Sequence, residues 1–436
     1  MINKLLKCLK LFAVAILIIP CAFGLSACKD GQTPYIGENG NWFIGSTDTG
    51  VKAAGDDGAN GTNGKDAEQI DTYEMYLNAV EHEDYQGSYL DFIKDNFAVN
   101  TDITAAVANS CALSVVEVKA YNNTSNVTSG SGVIYQLDED GNAIILTNYH
   151  VVVGSGSTVK TKFDLRLYGQ QENTYIHAEY VGGSSTYDIA VLKVTESSLL
   201  KEFGAKAVTL NTNAPVLGET CISIGNANTY GIAVNKGVIS VESERVYMTV
   251  AGDRILRRLI RHDAYIAGGS SGGGLFDING QLIGLTCGGQ DGTDIHYAIP
   301  SSLVHSVVNS ILRSANNGGI KPTTAELGIV TTFTSQPKYN ASTGLVEIND
   351  TVTIAAINDG LIKDANTLAV GDKLVSLTIN PNTANEQTIS LLREYHLSEA
   401  LLLIPANTTI RLNCLRGTES VSAVVTVQSN NISAVK

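Results

Sequence analysis

Residues 266–276 read IAGGSSGGGLF, with five glycines and two adjacent serines in eleven positions. The run feeds directly into LFDINGQLIGL (275–285), an alternating apolar pattern interrupted by an Asn-Gly turn signal. Flexible spacers are rich in Gly and Ser, but they rarely enter a strand without a break. Glycines packed this densely against a strand start mark a loop whose backbone must approach something closely. The partners of that loop have to come from elsewhere in the chain.

A 436-residue chain with 44% hydrophobic residues can build two or three domains. The net charge of -14 argues against nucleic acid and anionic headgroups as partners. No G-x-x-x-x-G-K-[ST] pattern occurs, so nucleotide-driven work is not indicated, and no cofactor or metal motif is visible. Cys111, Cys221, Cys287 and Cys414 lie far apart without C-x-x-C pairing and read as buried thiols. An oxidising location would still permit Cys221 and Cys287 to bridge.

The first residues form a targeting signal: MINKLLKCLK is basic, LFAVAILIIPCAFG is apolar, and LSAC ends at Cys28. This resembles a bacterial lipobox, which implies removal of residues 1–27 and a diacylglyceryl thioether on Cys28. Two acyl chains anchor stably where one would be marginal. The expected location is the extracytoplasmic face of the membrane, at a Gram-positive surface. Residues 28–66, rich in Gly and Asn, read as a flexible tether, and 67–100 as a short helical segment. From 104 to 312 the texture is all-β, with short Val/Ile-rich runs and turn pairs at Asp140-Gly141 and Asn279-Gly280. A barrel or sandwich fits, as do two small barrels. A further module, 323–430, mixes strands with one amphipathic helix around ISLLREYHLSEALLLI (389–404).

Serine-based hydrolysis needs a base, a carboxylate that orients it, and backbone N–H groups for the oxyanion. Of seven histidines, only His150, in ILTNYHVV, stands at a strand end before an aliphatic run. Asp188 opens DIAVLKV, and the order His150, Asp188, Ser271 is that of chymotrypsin-like double barrels. His177, His262 and His296 have no partner motif and read as structural or surface residues.

TNYHVV, YDIAVLKV, SIGNA, GVIS, DAYIAGGSSGGGLFDINGQLIGL and HYAIP together resemble, in order, the motifs of the HtrA/Deg serine proteases. That resemblance implies a double six-stranded β-barrel over 104–312. The family pattern Gly-x-Ser-Gly-Gly fits Ser271 and fails at Ser270. It implies Ser271 as nucleophile, His150 as general base then acid, and Asp188 as the group fixing the imidazole. The N–H groups of Gly269 and Ser271 would form the oxyanion hole, with Gly272 and Gly273 leaving room for the scissile carbonyl. Gly274 stands where the family usually has Pro, which would raise the cost of ordering the loop by about 0.5–1 kcal/mol.

Tyr265 and Gly268 are expected at the primary pocket. With no acid at Tyr265, a small or medium apolar P1 residue is expected rather than Lys or Arg. ELGIVTT and the Gly371-Asp372 turn resemble an HtrA-type PDZ domain, an α+β fold. Leu327, Gly328 and Ile329 would begin its carboxylate-binding loop and capture C-terminal peptides. The resemblance further implies unfolded or misassembled exported polypeptides as substrates and a possible homo-oligomer. A dedicated processing protease and a non-catalytic peptide-binding adaptor are the alternatives.

Overall fold

The computed structural model describes residues 104–435, apart from 124–126, 155–157, 172–173, 291 and 342–344, together with parts of 35–52 and residues 79–81. The signal segment, Cys28 and most of the expected helical segment lie outside the described residues. The chain divides into two units, 1–96 and 97–436. In the first unit, strands β1 (Tyr35–Ile36), β2 (Asn41–Ile44) and β3 (Thr47–Lys52) pair as an antiparallel sheet. Composition had suggested only a tether there. Asp48 of β3 accepts hydrogen bonds from the side-chain amides of Asn39 and Asn41.

The second unit opens with helix α1 (Thr104–Ala112), followed by two closed barrels. The first barrel comprises β4 (Val115–Tyr121), β5 (Val127–Leu137), β6 (Ala143–Thr147), β7 (Lys162–Leu167), β8 (Ile176–Ser184) and β9 (Ile189–Val194). The second comprises β10 (Thr220–Gly225), β11 (Ala233–Val250), β12 (Asp253–His262), β13 (Gly274–Phe276), β14 (Leu282–Gly289) and β15 (His296–Pro300). Each barrel closes in the same order, first-second-third-sixth-fifth-fourth. Closure removes the sheet edges and turns one face of every strand inward. Gly141 and Gly280 take positive φ at the two turns anticipated from their Asp-Gly and Asn-Gly pairs.

One apolar core runs across both barrels, from Val133, Leu146 and Ile189 to Ile222, Ile224, Phe276 and Leu285. Helix α2 (Tyr149–Val152) is a single turn carrying His150, and α3 (Ser198–Glu202) follows β9. Helix α4 (Ser301–Ala315) follows β15 and was not anticipated in the β-rich region. It buries Leu303, Val304, Val307, Val308 and Ile311, the spacing of one helical face, against the same core. The four described cysteines after the signal are buried and free.

The C-terminal module contains β16 (Thr323–Ala325), β17 (Ile329–Asn340), β18 (Leu345–Ile357), α5 (Leu361–Ala365), β19 (Lys373–Ile379), β20 (Gln387–Ser390), α6 (His396–Leu402), β21 (Thr408–Arg416), β22 (Glu419–Val427) and β23 (Ile432–Ala434). It has its own core of Val352, Ile354, Leu374, Leu377, Ile404 and Leu412. The expected helix over 389–404 is shorter than its apolar pattern suggested. Residues 387–390 pair with β19 instead, because the backbone of 376–379 offers them a ladder.

Buried charges join this module to the second barrel. The Arg258 guanidinium pairs with Glu399 and lies 3.7 Å from the centroid of the Tyr395 ring. Arg393 pairs with Glu242 at 2.8 Å. Burial pushes the Glu399 carboxyl up, against the opposing charge of Arg258. Removing one member strands the other at a largely buried interface. Arg258→Leu is therefore expected to destabilise the protein by about 3–5 kcal/mol in thermal unfolding. Arg258→Leu combined with Glu399→Leu should recover most of that loss. Equal losses in the single and double variants would contradict this account.

Candidate active site

The histidine turn, the aspartate loop and the glycine-rich loop meet on the seam between the barrels. Asp188 precedes β9 in a left-handed conformation (φ 56°) and is almost wholly buried. Its Oδ2 lies 2.8 Å from His150 Nδ1, and its Oδ1 accepts the backbone N–H of His150 at 3.0 Å. Asn148 donates its side-chain N–H to the Asp188 carbonyl at 2.9 Å. The carboxylate thus fixes both the ring and the turn that carries it. Burial by itself would lower the His150 pKa. The charge and hydrogen bond of Asp188 outweigh burial, while Arg257 opposes them, and the net shift is upward.

Arg257 was not apparent from the sequence. It lies on β12 of the second barrel and reaches the loop that presents Asp188, donating to the carbonyls of Thr186 (2.9 Å) and Ser185 (2.5 Å).

Between the two serines of the glycine loop, the structure separates roles. Ser270 is buried, with its Oγ accepting Ala267 N–H at 3.2 Å and its carbonyl accepting Thr286 Oγ1 at 2.7 Å. Ser271 is part-exposed and lines an open cavity of about 410 Å3 with Tyr265, Gly268, Gly289 and His296. A side-chain carbon at Gly130 would meet Val151 Cγ1 at 2.6 Å and the Ser271 carbonyl at 3.2 Å, so Ser271 and the residue after His150 flank a single point. Among the described residues, neither Ser271 Oγ nor His150 Nε2 has a hydrogen-bond partner. Such bonds often tighten only when substrate arrives.

The loop's peptide groups are anchored on one side. Gly268 O accepts Asn228 N–H at 2.8 Å, Gly269 O accepts Ser131 Oγ at 2.7 Å, and Ser270 O is held by Thr286. A trans peptide points its N–H opposite its carbonyl. The N–H groups of Gly269 and Ser271 are therefore turned the other way, and among the described residues neither donates to anything. Two such amides can stabilise developing negative charge on oxygen.

The glycines act differently from the expectation. A Cβ at Gly272 (φ 87°) would lie 2.2 Å from the Ser131 carbonyl and 2.4 Å from Thr147 Oγ1. Its bareness serves contact with the first barrel rather than space for substrate. Gly274 is likewise no loose hinge, since it pairs with Ile224 and Leu285 at the start of β13. Ser131, which the sequence also did not single out, joins the parts. Its N–H donates to Ser271 O (2.8 Å), its Oγ accepts Asn226 N–H (2.7 Å), and its carbonyl accepts Thr147 Oγ1 (2.7 Å).

Leu327, Gly328 and Ile329 gather elsewhere, on a cavity of about 620 Å3 in the C-terminal module with Leu397 and Leu401. His177 is exposed and pairs with Asp164, as a surface histidine would. His262 and His296 are buried, and His296 belongs to the cavity beside Ser271.

A trypsin-like peptidase domain model matches residues 130–285. A serine protease Do-like HtrA of Lactococcus lactis is 28% identical over 339 residues, 70% of this chain and 79% of the relative. A Bacillus subtilis protein of the same description is 32% identical over 191 residues, 42% and 39% of the two chains. Among solved structures, an HtrA-type protease AlgW with tripeptide aligns over 74% of this chain and 96% of its own, at 24% identity and a TM-score of 0.48.

Two outcomes follow from the geometry. If His150 must be neutral to act, its raised pKa keeps the ring protonated to higher pH than usual. The acid limb of kcat/KM should then turn above the ordinary value of 6.5, and Asp188→Asn should lower kcat by about 10^3–10^4-fold. Ser131→Ala, which frees Gly269 O and Asn226 N–H, is expected to lower kcat by about 10–100-fold with little change in KM. An unchanged kcat in that variant would remove Ser131 from the positioning of the loop.

Proposed function

We propose that this chain is a trypsin-like serine endopeptidase of the HtrA/Deg type and works through Ser271, His150 and Asp188. Ser271 Oγ attacks the scissile carbonyl, and His150 Nε2 takes its proton and later returns it to the leaving amine. Asp188 holds the imidazole in the tautomer with Nδ1–H and favours the imidazolium that forms. The unengaged N–H groups of Gly269 and Ser271 receive the oxyanion. The bidentate grip of Asp188 on His150 carries this reading, because a histidine held at both its ring and its backbone is poised for one task.

The substrates are unfolded or misassembled exported polypeptides, cleaved without nucleotide. The protein stands on the outer face of the cytoplasmic membrane through lipid on Cys28. A basic-then-apolar leader ending at LSAC supports the anchor, and the extracytoplasmic setting suits relatives named as periplasmic endoproteases. The C-terminal module acts as a PDZ-like domain. Strand β17 is the last in its sheet among the described strands, and the cavity lined by Leu327, Gly328 and Ile329 lies at its start. An extended C-terminal peptide could add there as a further strand.

A fluorophosphonate probe with unfolded casein separates these readings. The wild type is expected to be labelled and to degrade casein, whereas Ser271→Ala should do neither. A wild type that remains unlabelled with substrate present would leave a peptide-binding adaptor. Intact-mass measurement of the membrane fraction should show a diacylglyceryl adduct on a chain beginning at Cys28, and a chain retaining residues 1–27 would refute the anchor.

A further inference from the structure

The turn that follows β10 carries two consecutive backbone outliers beside the glycine loop. Asn228 and Thr229 both take left-handed conformations, with φ 55° and 61°. A β-branched residue such as Thr229 is held there only by its surroundings, at a cost of about 1–3 kcal/mol. Those surroundings are specific. Asn226 is buried, and its N–H donates to Ser131 Oγ at 2.7 Å. Its carbonyl accepts Thr229 N–H at 3.1 Å, and its Oδ1 accepts Gly231 N–H at 2.9 Å. Asn228 N–H donates to the Gly268 carbonyl at 2.8 Å. A Cβ at Gly269 would lie 2.3 Å from Asn226 O and 3.3 Å from Thr229 Cγ2, so the turn is seated directly on that glycine.

What the strained turn presents is Tyr230. Its side chain is 92% exposed, the most exposed large hydrophobic residue among those described. The ring contributes no packing to the fold, yet the backbone beneath it is fixed by several hydrogen bonds. Strain that surrounding structure maintains is a feature of binding and catalytic sites.

The turn also has a direction. Asn228 lines the cavity beside Ser271, and Thr229 lies against Gly269. A Cβ at Gly231 would come within 3.9 Å of Glu117 Oε1, on the first-barrel strand β4, where Glu117 is paired with Ser131 of β5. The turn therefore runs from the cavity, past the oxyanion amides, to the first barrel. A substrate has to follow the same course. With its P1 side chain in the cavity and its carbonyl oxygen at Gly269 and Ser271, its leaving amine lies toward His150, on the first barrel. Side chains of an extended peptide alternate, so P1 and P2′ face the same way, about 7 Å apart. P1 faces the second barrel, and P2′ then faces it too, on the side of the scissile bond where Tyr230 stands.

We propose that Tyr230 is a specificity-determining residue on the leaving-group side, and that the enzyme favours a large apolar residue, leucine or phenylalanine, at P2′. This deepens the reading of Ser271 as nucleophile and rests on it. An aromatic ring on a fixed backbone offers a large contact area with only two side-chain torsions to order. Packing of the P2′ side chain on that ring takes apolar surface of both out of water.

The test uses the full chain and internally quenched peptides that share Val at P1 and differ only at P2′, which is Leu, Phe, Ala or Asp. The better of Leu and Phe is expected to exceed Ala and Asp in kcat/KM by about tenfold. Tyr230→Ala should bring that ratio to within about twofold of unity, and Tyr230→Phe should keep it. A tyrosine that merely stiffens the turn would, when removed, slow all four peptides alike and leave the ratio intact, which overturns the proposal. A wild type without a P2′ preference overturns it as well. If such an enzyme still cleaves the peptides and is labelled at Ser271, this inference alone is lost. If nothing is cleaved or labelled, the nucleophile assignment fails and takes this one with it.

Discussion

The structure depends on one buried serine between two barrels. Ser131 is a first-barrel residue with no exposure, and its three polar atoms bind the Ser271 carbonyl, the Gly269 carbonyl, the Asn226 amide and the Thr147 hydroxyl. Thr147 leads into the turn that carries His150. A serine at the seam therefore ties the Ser271 loop to the His150 turn through short polar links, inside a shared apolar core where water cannot compete for them. The bare α-carbon of Gly272 is the steric counterpart, since the loop could not come this close to Ser131 and Thr147 with a side chain there.

Charge is handled in the same cross-barrel manner. Asp188 belongs to the first barrel, but the loop that delivers it is held by Arg257 from the second. Neither barrel alone completes the site. The loop that presents Asp188 and the loop that carries Ser271 each draw support from the opposite barrel, so this arrangement exists only when both are docked. Rigid docking of this kind is what makes electrostatic preorganisation effective, because the dipoles need not rearrange during the reaction.

The two ends of the second barrel make different use of burial. At the interface with the C-terminal module, Arg258 and Glu399 are buried as a pair, with Tyr395 stacked over the guanidinium. On β12 and β15, the rings of His262 and His296 are buried with no hydrogen-bond partner among the described residues. A paired buried charge fixes how two modules sit against each other.

Local pattern was enough for much of this protein. The alternating Val/Ile runs and the Asp140-Gly141 and Asn279-Gly280 turns marked a β-rich chain, while the choice of Ser271 over Ser270 came from resemblance to the HtrA/Deg pattern Gly-x-Ser-Gly-Gly. The runs and turns are set by period and by backbone freedom, which neighbouring residues dictate. The α4 face at Leu303, Val304, Val307, Val308 and Ile311 was missed, because its apolar residues blend with the strands before it. Only the tertiary structure decided what Ser131, Arg257 and Gly272 do. Ser131 in GSGVIYQL reads as an ordinary strand residue. The roles of all three arise from closing and packing two barrels, which brings together groups about 70 to 140 residues apart in sequence. Sequence spacing carries no record of those distances.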